Sequence, residues 1–377
     1  MKEKIVLILD PRGIIASGGS DVLERHNSYG KSLSILSKNH RLMVFTAEAK
    51  ILPNSRENTY LDKYSLCSPT LNSLKFAWKA FRLVSKNSLD VKLLIAGDPW
   101  ESFLSALILK RFLRRNIAIQ VQLHADIADP LWRKLSVKNR VRYLVSKILL
   151  PYSSSIRAVS VHQSRNLINN MKVPRSKIQV ISVPINLDWI EYTKLNNKVR
   201  TKSIALVGRI HSDRGIWEFV DLIEKLANTS KDLKVILIGA IEQESNFLKR
   251  LQFLVPEGNL IVLGQLTEKN LSGYWKRIGA LVSLAPVESY GRVLREALLS
   301  GVPVWAVKTS GAKDLLGQCR NGQLRFINLA DPAKKLAKDF EDLLKVKPDI
   351  EFRKDFISQN KLLPDLLAKS WIRLLKD

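Results

Sequence analysis

Two glutamates that are separated by seven residues, Glu288 and Glu296, lie in a stretch that could bind a sugar or a phosphate. The pattern predicts a buried strand ending near Leu284, a loop holding Glu288, and a helix that begins at Gly291 and carries Glu296. The first N–H groups of such a helix are open to an anion or to sugar hydroxyls. Glu296 has apolar neighbours, so its carboxylate needs a hydroxyl or a cation as partner, and a ribose diol would suit it. Taken singly, each glutamate is more simply explained as an ordinary helix residue.

Two arginines follow another predicted strand, residues 203–207, and could bind phosphate. Gly208 allows a sharp turn after that strand, and Arg209 and Arg214 then supply permanent positive charges. Because a guanidinium group donates parallel hydrogen bonds to phosphate oxygens, this pair suits a diphosphate. The alternative is that both arginines are solvated loop residues.

A histidine and a glycine pair also follow predicted strands. His124 comes directly after the apolar run 117–123, although a lone histidine is more often structural. Gly18 and Gly19 lie between the first strand and a helix, where a backbone without Cβ atoms can approach a phosphate closely. A glycine pair alone is a weak signal and usually marks an ordinary loop.

The elements that position these residues form two series of short apolar runs alternating with segments of helical periodicity. Near-continuous apolar runs of this kind indicate parallel strands whose sheets are covered on both faces. We therefore predict an α/β fold with two doubly wound, Rossmann-like domains facing a deep cleft, and ligands at the carboxyl ends of the strands. The runs are residues 5–9, 42–46, 91–96, 117–123, 156–161 and 178–182, and then 203–207, 233–238, 260–263, 280–284 and 303–307.

The polar stretch 189–201 separates the two series and predicts the domain boundary. We expect an N-terminal domain over residues 1–188 and a C-terminal domain over 202–360. Residues 361–377 carry Leu366, Leu367 and Trp371 near helical spacing, which predicts an amphipathic helix that packs back on the N-terminal domain.

The chain carries an unusual positive charge. Its 377 residues include 61 Lys and Arg against 35 Asp and Glu, a net charge of +26. Between Lys110 and Lys177 lie 15 basic residues and only two acidic ones, Asp126 and Asp129. Such a field favours a polyanion, which could be nucleic acid, an anionic membrane or a phosphorylated ligand.

Composition excludes several classes of protein. The apolar fraction of 46% rules out a disordered or collagen-like chain, and two cysteines rule out a disulfide framework or a thiolate zinc site. No Asp-x-Asp pair follows a strand and no histidine cluster has ligand spacing, so we expect no metal and no cofactor. No apolar run is long enough to span a membrane, so we expect a cytoplasmic protein that could lie peripherally at the inner membrane face.

The stretch from Glu288 to Val304 resembles the signature of retaining family 4 glycosyltransferases, also called glycosyl transferases group 1, which have the GT-B fold. That signature is E-S/G-F/Y-G-x-x-x-x-E-A-x-x-x-G-x-P-V, and this sequence matches it at every defined position, with Ser289 and Tyr290 in the second and third places. The segment from Ala205 to Gly215 is similar to the family's V-G-R…K-G segment, with arginine at 214 where lysine is usual.

The resemblance implies a role for each matched residue. Arg209 and Arg214 would bind the donor diphosphate, Glu288 would lie at the sugar ring, and Glu296 would hold the ribose. His124, in a histidine motif, would orient the donor sugar from the opposite domain. The remaining donor-binding matches are Gly18, Gly19, Gly208, Leu266, Ser289, Tyr290 and Gly291, with Leu266 in the loop that flanks the base.

We therefore expect a retaining, metal-independent glycosyltransferase that moves a sugar from a nucleotide diphosphate donor, a UDP- or GDP-sugar, to a saccharide or lipid-linked acceptor. The product would be a surface polysaccharide or another glycoconjugate, and the basic N-terminal domain could contact an anionic membrane. One alternative is a catalytically silent GT-B protein that binds nucleotide sugars. A nucleic-acid-binding protein is a remote alternative that only the charge suggests, because no recognition motif accompanies it.

Overall fold

The computed structural model describes residues 3–17, 20–47, 60–67, 72–191, 200–230, 232–241 and 245–375. The chain forms two compact units. The first comprises Met1–Pro184 together with Asn360–Asp377, and the second comprises Ile185–Gln359. Most of the predicted linker, residues 192–199, falls outside the described residues.

The first unit is built on a parallel sheet, which has seven strands within the described residues. The strand order is β3-β2-β1-β4-β5-β6-β7, and every neighbouring pair is parallel. These strands are β1 (Lys4–Asp10), β2 (His40–Ala47), β3 (Leu61–Cys67), β4 (Asp90–Ala96), β5 (Ala118–Leu123), β6 (Ser155–Ala158) and β7 (Ile178–Val180). The helices that connect them are α1 (Ile14–Ser17), α2 (Ser20–Leu36), α3 (Ser73–Lys86), α4 (Glu101–Leu113), α5 (Pro130–Lys134), α6 (Val137–Leu149) and α7 (Val161–Met171).

The second unit repeats this plan with six strands in its described part, in the order β10-β9-β8-β11-β12-β13. Here too each neighbouring pair is parallel. The strands are β8 (Ser203–Val207), β9 (Lys234–Ile238), β10 (Leu260–Val262), β11 (Ala280–Ser283), β12 (Val304–Ala306) and β13 (Leu324–Phe326). The helices are α8 (Asp188–Glu191), α9 (Ile216–Ala227), α10 (Ser245–Leu254), α11 (Glu268–Tyr274), α12 (Arg292–Leu299), α13 (Ser310–Leu316) and α14 (Ala333–Leu344). The last helix, α15 (Ile350–Leu374), begins in the second unit and ends in the first.

The prediction of two doubly wound α/β domains is confirmed, and each predicted apolar run overlaps a strand. Two strands at sheet edges, β3 and β13, were not predicted. An edge strand has one hydrogen-bonded neighbour and a more exposed flank, so it does not need a continuous apolar run. The β3 sequence accordingly interleaves Asp62, Lys63 and Ser65 with apolar residues, and β13 has only three residues.

Helix α15 is longer than predicted, since it begins at Ile350 and not near residue 361. Its C-terminal part completes the core of the first unit: Leu367, Ala368 and Trp371 are fully buried against Tyr29 and Leu33. The Trp371 Nε1–H group donates a 2.8 Å hydrogen bond to Oε1 of Gln120 on β5, so the buried indole is also satisfied as a donor. In contrast, Leu366 points to solvent.

Each sheet has a point where the strand order reverses, between β1 and β4 in the first unit and between β8 and β11 in the second. The connections leave in opposite directions there, which opens a crevice beyond the carboxyl ends of the two central strands. Both crevices contain a cavity, and both cavities are lined by residues that the sequence singled out.

Candidate functional site

The cavity of the second unit has a volume of about 260 Å³ and lies at the carboxyl ends of β8 and β11. Five of the predicted site residues line it: Gly208, Arg209, Arg214, Glu288 and Gly291. They come from two chain segments 74 residues apart, which only the pairing of β8 with β11 brings together.

Glycine residues hold the loops of this cavity close to one another. Gly215 begins α9 with a φ of +73°, and a Cβ atom there would lie 2.2 Å from the carbonyl oxygen of Leu284 at the end of β11. A Cβ atom on Gly239 would lie 1.8 Å from the Gly208 carbonyl oxygen. These contacts leave no space for a side chain, so the loops of β8, β9 and β11 are packed backbone against backbone.

Glu288 and Arg214 form the centre of the cavity. Nη1 of Arg214 lies 3.5 Å from Oε2 of Glu288, and both side chains are partly exposed. Oε1 of Glu288 accepts a 3.2 Å hydrogen bond from the backbone N–H of Gly291, the residue that caps α12 with a φ of +73°. The carboxylate therefore lies over the positive end of α12, where its negative charge is stabilised.

Arg209 is oriented by a residue that the sequence reasoning missed. Its Nη2 lies 3.1 Å from Oδ2 of Asp213, and Oδ1 of Asp213 lies 2.8 Å from Nδ1 of His211. All three side chains lie in the short segment between β8 and α9. His211 and Asp213, two and four positions after Arg209, were the available signal, since both fall in the short segment between β8 and α9.

Glu296 has the cation partner that its apolar surroundings require. It is buried on α12, and its Oε1 accepts a 2.8 Å hydrogen bond from Nε of Arg292, one helical turn earlier. Arg292 also pairs with Glu268 and lines the cavity. Arg292 therefore connects the buried Glu296 carboxylate to the cavity surface.

Ser289 and Tyr290 are buried behind the cavity and are not among the residues that line it. The guanidinium carbon of Arg295, another buried residue, lies 3.7 Å from the centroid of the Tyr290 ring. Burial lowers the pKa of Arg295, which nevertheless remains a cation because an arginine starts from so high a value. The Tyr290 ring thus provides a favourable face for a charge that lies inside the protein.

Gly311 is a second residue that the sequence reasoning missed. Its N–H donates a 2.8 Å hydrogen bond to the carbonyl oxygen of Glu288. A Cβ atom at this position would lie 2.5 Å from the carbonyl carbon of Tyr290 and 2.8 Å from the nitrogen of Gly291. Helix α13 thus supports the Glu288 loop from behind, and no spacing in the signature pointed to it.

Leu266 lies in the loop between β10 and α11. The preceding Gly264, with a φ of +65°, accepts a 2.7 Å hydrogen bond from the N–H of Gly239, which itself packs on Gly208. Leu266 is partly buried and is not among the residues that line the cavity, although its loop adjoins the loops that do.

His124 lies in the first unit, in a cavity of about 290 Å³ at the carboxyl ends of β1 and β4. The residue is exposed and lines this cavity. Desolvation by the surrounding protein lowers the pKa of His124 below its ordinary value of 6.5, and the positive charges of Arg157 and Arg25 lower it further. Burial lowers the pKa of the neighbouring His26 to about 4. Both imidazoles are therefore neutral at pH 7.

The backbone on both sides of His124 is held by Gln163, which the sequence reasoning also missed. This buried side chain donates from Nε2 to the carbonyl oxygens of Leu123 and Ala125, at 3.1 and 2.8 Å. Its Oε1 accepts from the N–H of Val159 at 2.7 Å. The signal was a helix-start pattern, since Ser160 caps α7 and Gln163 occupies the third position after it.

Gly18 and Gly19 lie outside the described residues, so their proposed approach to a phosphate has no structural description. In the parts of the chain that are described, His, Cys, Asp and Glu side chains form no group of three or more that could hold a metal ion. The same parts contain no helix with both the length and the apolar character needed to cross a bilayer.

Comparison with known protein families identifies the second unit. The family model described as "Glycosyl transferases group 1" matches residues 189–362. The matched residues make up somewhat less than half of the chain. The match contains the entire 260 Å³ cavity, including Arg209, Arg214 and Glu288.

Two curated relatives agree with the family. The chain is 26% identical over 221 residues to the capsular polysaccharide biosynthesis glycosyltransferase CapM of Staphylococcus aureus, an alignment that covers 54% of this chain and 56% of CapM. It is 23% identical over 359 residues to N-acetyl-alpha-D-glucosaminyl L-malate synthase of Bacillus anthracis, which covers 90% of this chain and 89% of that enzyme. The chain thus spans about half the length of the first relative and most of the second.

A solved structure matches the fold over nearly the whole chain. Anabaena HepE, determined in complex with UDP and glucose, superposes with a TM-score of 0.63 at 18% sequence identity and covers 99% of this chain and 97% of HepE. At this identity the likeness concerns the fold alone. The chain therefore has the GT-B fold, and its second unit matches the family model of glycosyl transferases group 1.

Proposed function

We propose that this glycosyltransferase moves a sugar from a nucleotide diphosphate donor to an acceptor hydroxyl with retention at the anomeric carbon. The observation that carries the proposal is the cavity between β8 and β11, where Arg209, Arg214 and the start of α12 surround one carboxylate, Glu288. Positive groups that converge on a cavity fit a diphosphate leaving group. A carboxylate among them fits the hydroxyls and the developing positive charge of a sugar ring.

The proposed reaction breaks the bond between the anomeric carbon and the donor diphosphate and forms a bond from that carbon to the acceptor oxygen. The acceptor proton moves to the departing diphosphate, on the same face as the attack, so the configuration is retained. Arg209 and Arg214 stabilise the negative charge that leaves, and Glu288 stabilises the sugar ring. The alternative route to retention uses Glu288 as a covalent nucleophile, which would give a glycosyl-enzyme intermediate.

The ion pairs in the cavity support the role of the arginines. The Arg209–Asp213 pair and the Arg214–Glu288 pair are both partly exposed, and such pairs contribute only about 0–1 kcal/mol. A diphosphate carries more charge than either carboxylate, so it can displace these partners at small cost. The carboxylates meanwhile keep each guanidinium group aimed at the cavity.

The other predicted residues take supporting roles in the proposal. Glu296 binds the ribose diol next to Arg292, and the loop holding Leu266 flanks the base. Ser289, Tyr290, Gly208 and Gly291 shape the backbone that faces the diphosphate and the sugar. His124 donates or accepts a hydrogen bond to the donor sugar as a neutral imidazole, and Gly18 and Gly19 approach the donor phosphates.

The relatives indicate which donor and which product to test first. HepE was determined with UDP and glucose, and CapM is named for capsular polysaccharide synthesis. We therefore propose a UDP- or GDP-sugar as donor, a saccharide or lipid-linked saccharide as acceptor, and a product in surface polysaccharide or glycoconjugate synthesis. We also propose transfer without a metal ion, and a peripheral position of the enzyme at an anionic membrane.

The proposal is tested by thermal unfolding with UDP, GDP, ADP, CMP and their sugar conjugates, each with and without EDTA. Donor at about 100 times its Kd adds roughly 2.7 kcal/mol to the free energy of unfolding, a clear rise in Tm. We expect one nucleotide class to act, EDTA to change nothing, and Arg209→Ala to weaken donor binding about 10- to 100-fold. The matched control is Arg250→Ala, which removes a similarly exposed arginine paired with Glu224 in the same unit.

Turnover and stereochemistry complete the test. With the responding donor, the anomeric proton coupling in the NMR spectrum of the product reports retention or inversion, and inversion would refute the mechanism. Binding without turnover on any acceptor would instead identify a silent nucleotide-sugar-binding protein. No response to any nucleotide, or equal losses in the Arg209 and Arg250 variants, would overturn the donor site.

A further inference from the structure

An apolar stripe runs along the outward face of α6. Val137, Val141, Leu144 and Ile148 are 71%, 54%, 58% and 68% exposed. Their spacing of four, three and four residues places them on one side of the helix, within about 60° of its circumference. Leu131 and Leu135, beside the preceding α5, and Tyr152, just after α6, are exposed as well.

The stripe does not hold α6 to the protein. The opposite side of the helix does this, through buried Tyr143 and Ser146, and buried Leu150 follows directly. The Tyr143 hydroxyl donates a 3.2 Å hydrogen bond to the carbonyl oxygen of Asn170 on α7. A surface helix normally places its apolar residues inward. Here four β-branched or leucine side chains face outward on a helix that is already anchored, which marks an interaction surface.

Exposed basic residues flank the stripe on both sides. Lys138 lies on one side, and Arg140 and Lys147 lie on the other, while Lys134 extends the positive charge onto α5. Residues 130–187 include eleven Lys and Arg and no Asp or Glu, and Asp129, directly before this range, caps α5. The surface therefore combines an apolar centre with a predominantly cationic border.

Two basic residues of the same segment are excluded from this surface by their contacts. Arg142 pairs with Glu101 at 3.0 Å, and its guanidinium carbon lies 4.6 Å from the centroid of the Trp100 ring. The guanidinium carbon of Arg133 lies 4.5 Å from the centroid of the Tyr143 ring. These two arginines pack α5 and α6 onto the unit, so sequence alone overestimates the cationic surface.

We propose that α5 and α6 dock this enzyme on an anionic lipid bilayer, with α6 lying in the plane of the headgroups. Apolar side chains that enter the acyl boundary while lysines and arginines meet the lipid phosphates are the pattern of an interfacial helix. A nucleic acid would gain nothing from a stripe of valine, leucine and isoleucine. A second copy of this surface would bring its own cationic border against an identical one.

This inference names the surface that would contact the membrane in the proposed function. It rests on the proposed function only for the idea that the acceptor is presented at a membrane. Binding itself requires neither a donor nor turnover, so it can be measured separately. The probe is a vesicle of phosphatidylcholine containing about one third phosphatidylglycerol, with pure phosphatidylcholine as the uncharged comparison. Flotation of the full chain with these vesicles measures the partition coefficient.

We expect the wild-type chain to float with the anionic vesicles at low salt and far less with pure phosphatidylcholine. Leu144→Ser combined with Ile148→Ser lowers the partition coefficient about tenfold or more, because two apolar side chains no longer enter the bilayer. The matched control is Ile35→Ser combined with Phe253→Ser, two exposed apolar residues elsewhere on the surface, and it leaves binding unchanged.

Charge reversal tests the cationic border separately. Lys138→Glu combined with Lys147→Glu lowers the partition coefficient about tenfold or more, whereas Lys249→Glu combined with Lys334→Glu makes the same change of net charge in the second unit and has a much smaller effect. Each variant must keep the wild-type Tm and nucleotide response, so a loss of binding cannot come from unfolding.

Four results would overturn the proposal. The first is that the wild-type chain does not bind anionic vesicles, and the second is that the α6 variants and the control variants lose binding equally. The third is that binding does not depend on Leu144 and Ile148. The fourth is that light scattering shows a dimer, which Leu144→Ser combined with Ile148→Ser dissociates. The last would assign the stripe to a second copy of the chain. None of these results bears on nucleotide binding, so the glycosyltransferase proposal stands or falls on its own test.

Discussion

The two cavities occupy the same place in two sheets of the same topology, yet they use charge differently. In the second unit, Arg209 and Arg214 lie between β8 and α9 with partly exposed side chains, and each has a carboxylate partner, Asp213 and Glu288 respectively. In the first unit, Arg157 is buried on β6 and donates to the carbonyl oxygens of Ile181 and Ser182 and to Oε1 of Gln122. The guanidinium group of Arg157 therefore makes its hydrogen bonds within the protein.

The Asp10 carboxylate of the first unit also makes its hydrogen bonds within the protein. Asp10 accepts hydrogen bonds from the N–H groups of Ile14 and Ile15 and from the hydroxyl of Thr46, all between 2.7 and 2.9 Å. Arg12 and Arg25 also line this cavity, and Arg12 pairs with Asp98 at 3.1 Å, so the cavity keeps positive charge although Arg157 and Asp10 are engaged and both histidines are neutral. The shared topology therefore places both cavities at the same point of their sheets, whereas the contacts of their charged residues differ.

The largest expected difference between the cavities is in turnover. Glu288→Gln keeps the shape of the side chain but removes its charge, so we expect turnover to fall about 10²-fold or more. His124→Ala removes one neutral hydrogen bond and should lower turnover only about tenfold. Steady-state transfer assays on both variants, with nucleotide binding as a check on folding, measure the contrast. A greater loss in His124→Ala would move the reacting centre to the first unit.

The second contrast concerns the loops that form the cavities. Gly215→Ala should lower the free energy of unfolding by at least about 2 kcal/mol, because a positive φ and the Leu284 carbonyl both oppose a Cβ atom. Gly97, at the end of β4 beside the other cavity, has open space around its Cα, so Gly97→Ala should stay within about 0.5 kcal/mol of wild type. Urea unfolding measures both, and equal losses would show that the two loops are equally constrained.

The smallest effect is a pH dependence confined to the first unit. The pKa of His26 is about 4 in the folded chain and near its ordinary 6.5 when unfolded, so the unfolded chain binds more protons between these values. The stability contributed by neutral His26 is present above pH 6.5 and is lost as the pH falls toward 4. His26→Gln should therefore lose less stability between pH 7 and pH 5 than wild type does. If His162→Gln behaves identically in urea unfolding, the effect does not come from this cavity.

The sequence predicted the elements of the fold well because buried parallel strands require apolar runs. The resemblance to family 4 glycosyltransferases also implied that Arg209, Arg214 and Glu288 would lie at one site, and all three line the β8–β11 cavity. Strands β3 and β13 were missed because an edge position removes the requirement that made the others visible. The start of α15 was missed although Phe352 and Phe356 are buried at helical spacing, because Pro364 inside the helix interrupts the helical pattern.

The supporting residues of the site were harder to predict from the sequence. Gly311 acts through a backbone contact with residues 20 positions away, and no side-chain pattern encodes such a contact. Asp213 and Gln163 were visible as residue types, but their partners depend on the path of a turn and on the position of a neighbouring strand. Local periodicity in the sequence does not report contacts between residues that are far apart in the chain, so these contacts could be identified only from the structure.

The burial of Trp371 in the core of the first unit has a consequence for biosynthesis. Every residue of the second unit leaves the ribosome before Trp371 does, and domains generally fold as units while the chain is being made. The second unit can therefore fold first, while the first unit waits with Tyr29 and Leu33 uncovered until α15 arrives. We therefore expect the N-terminal half of the chain to complete its core last.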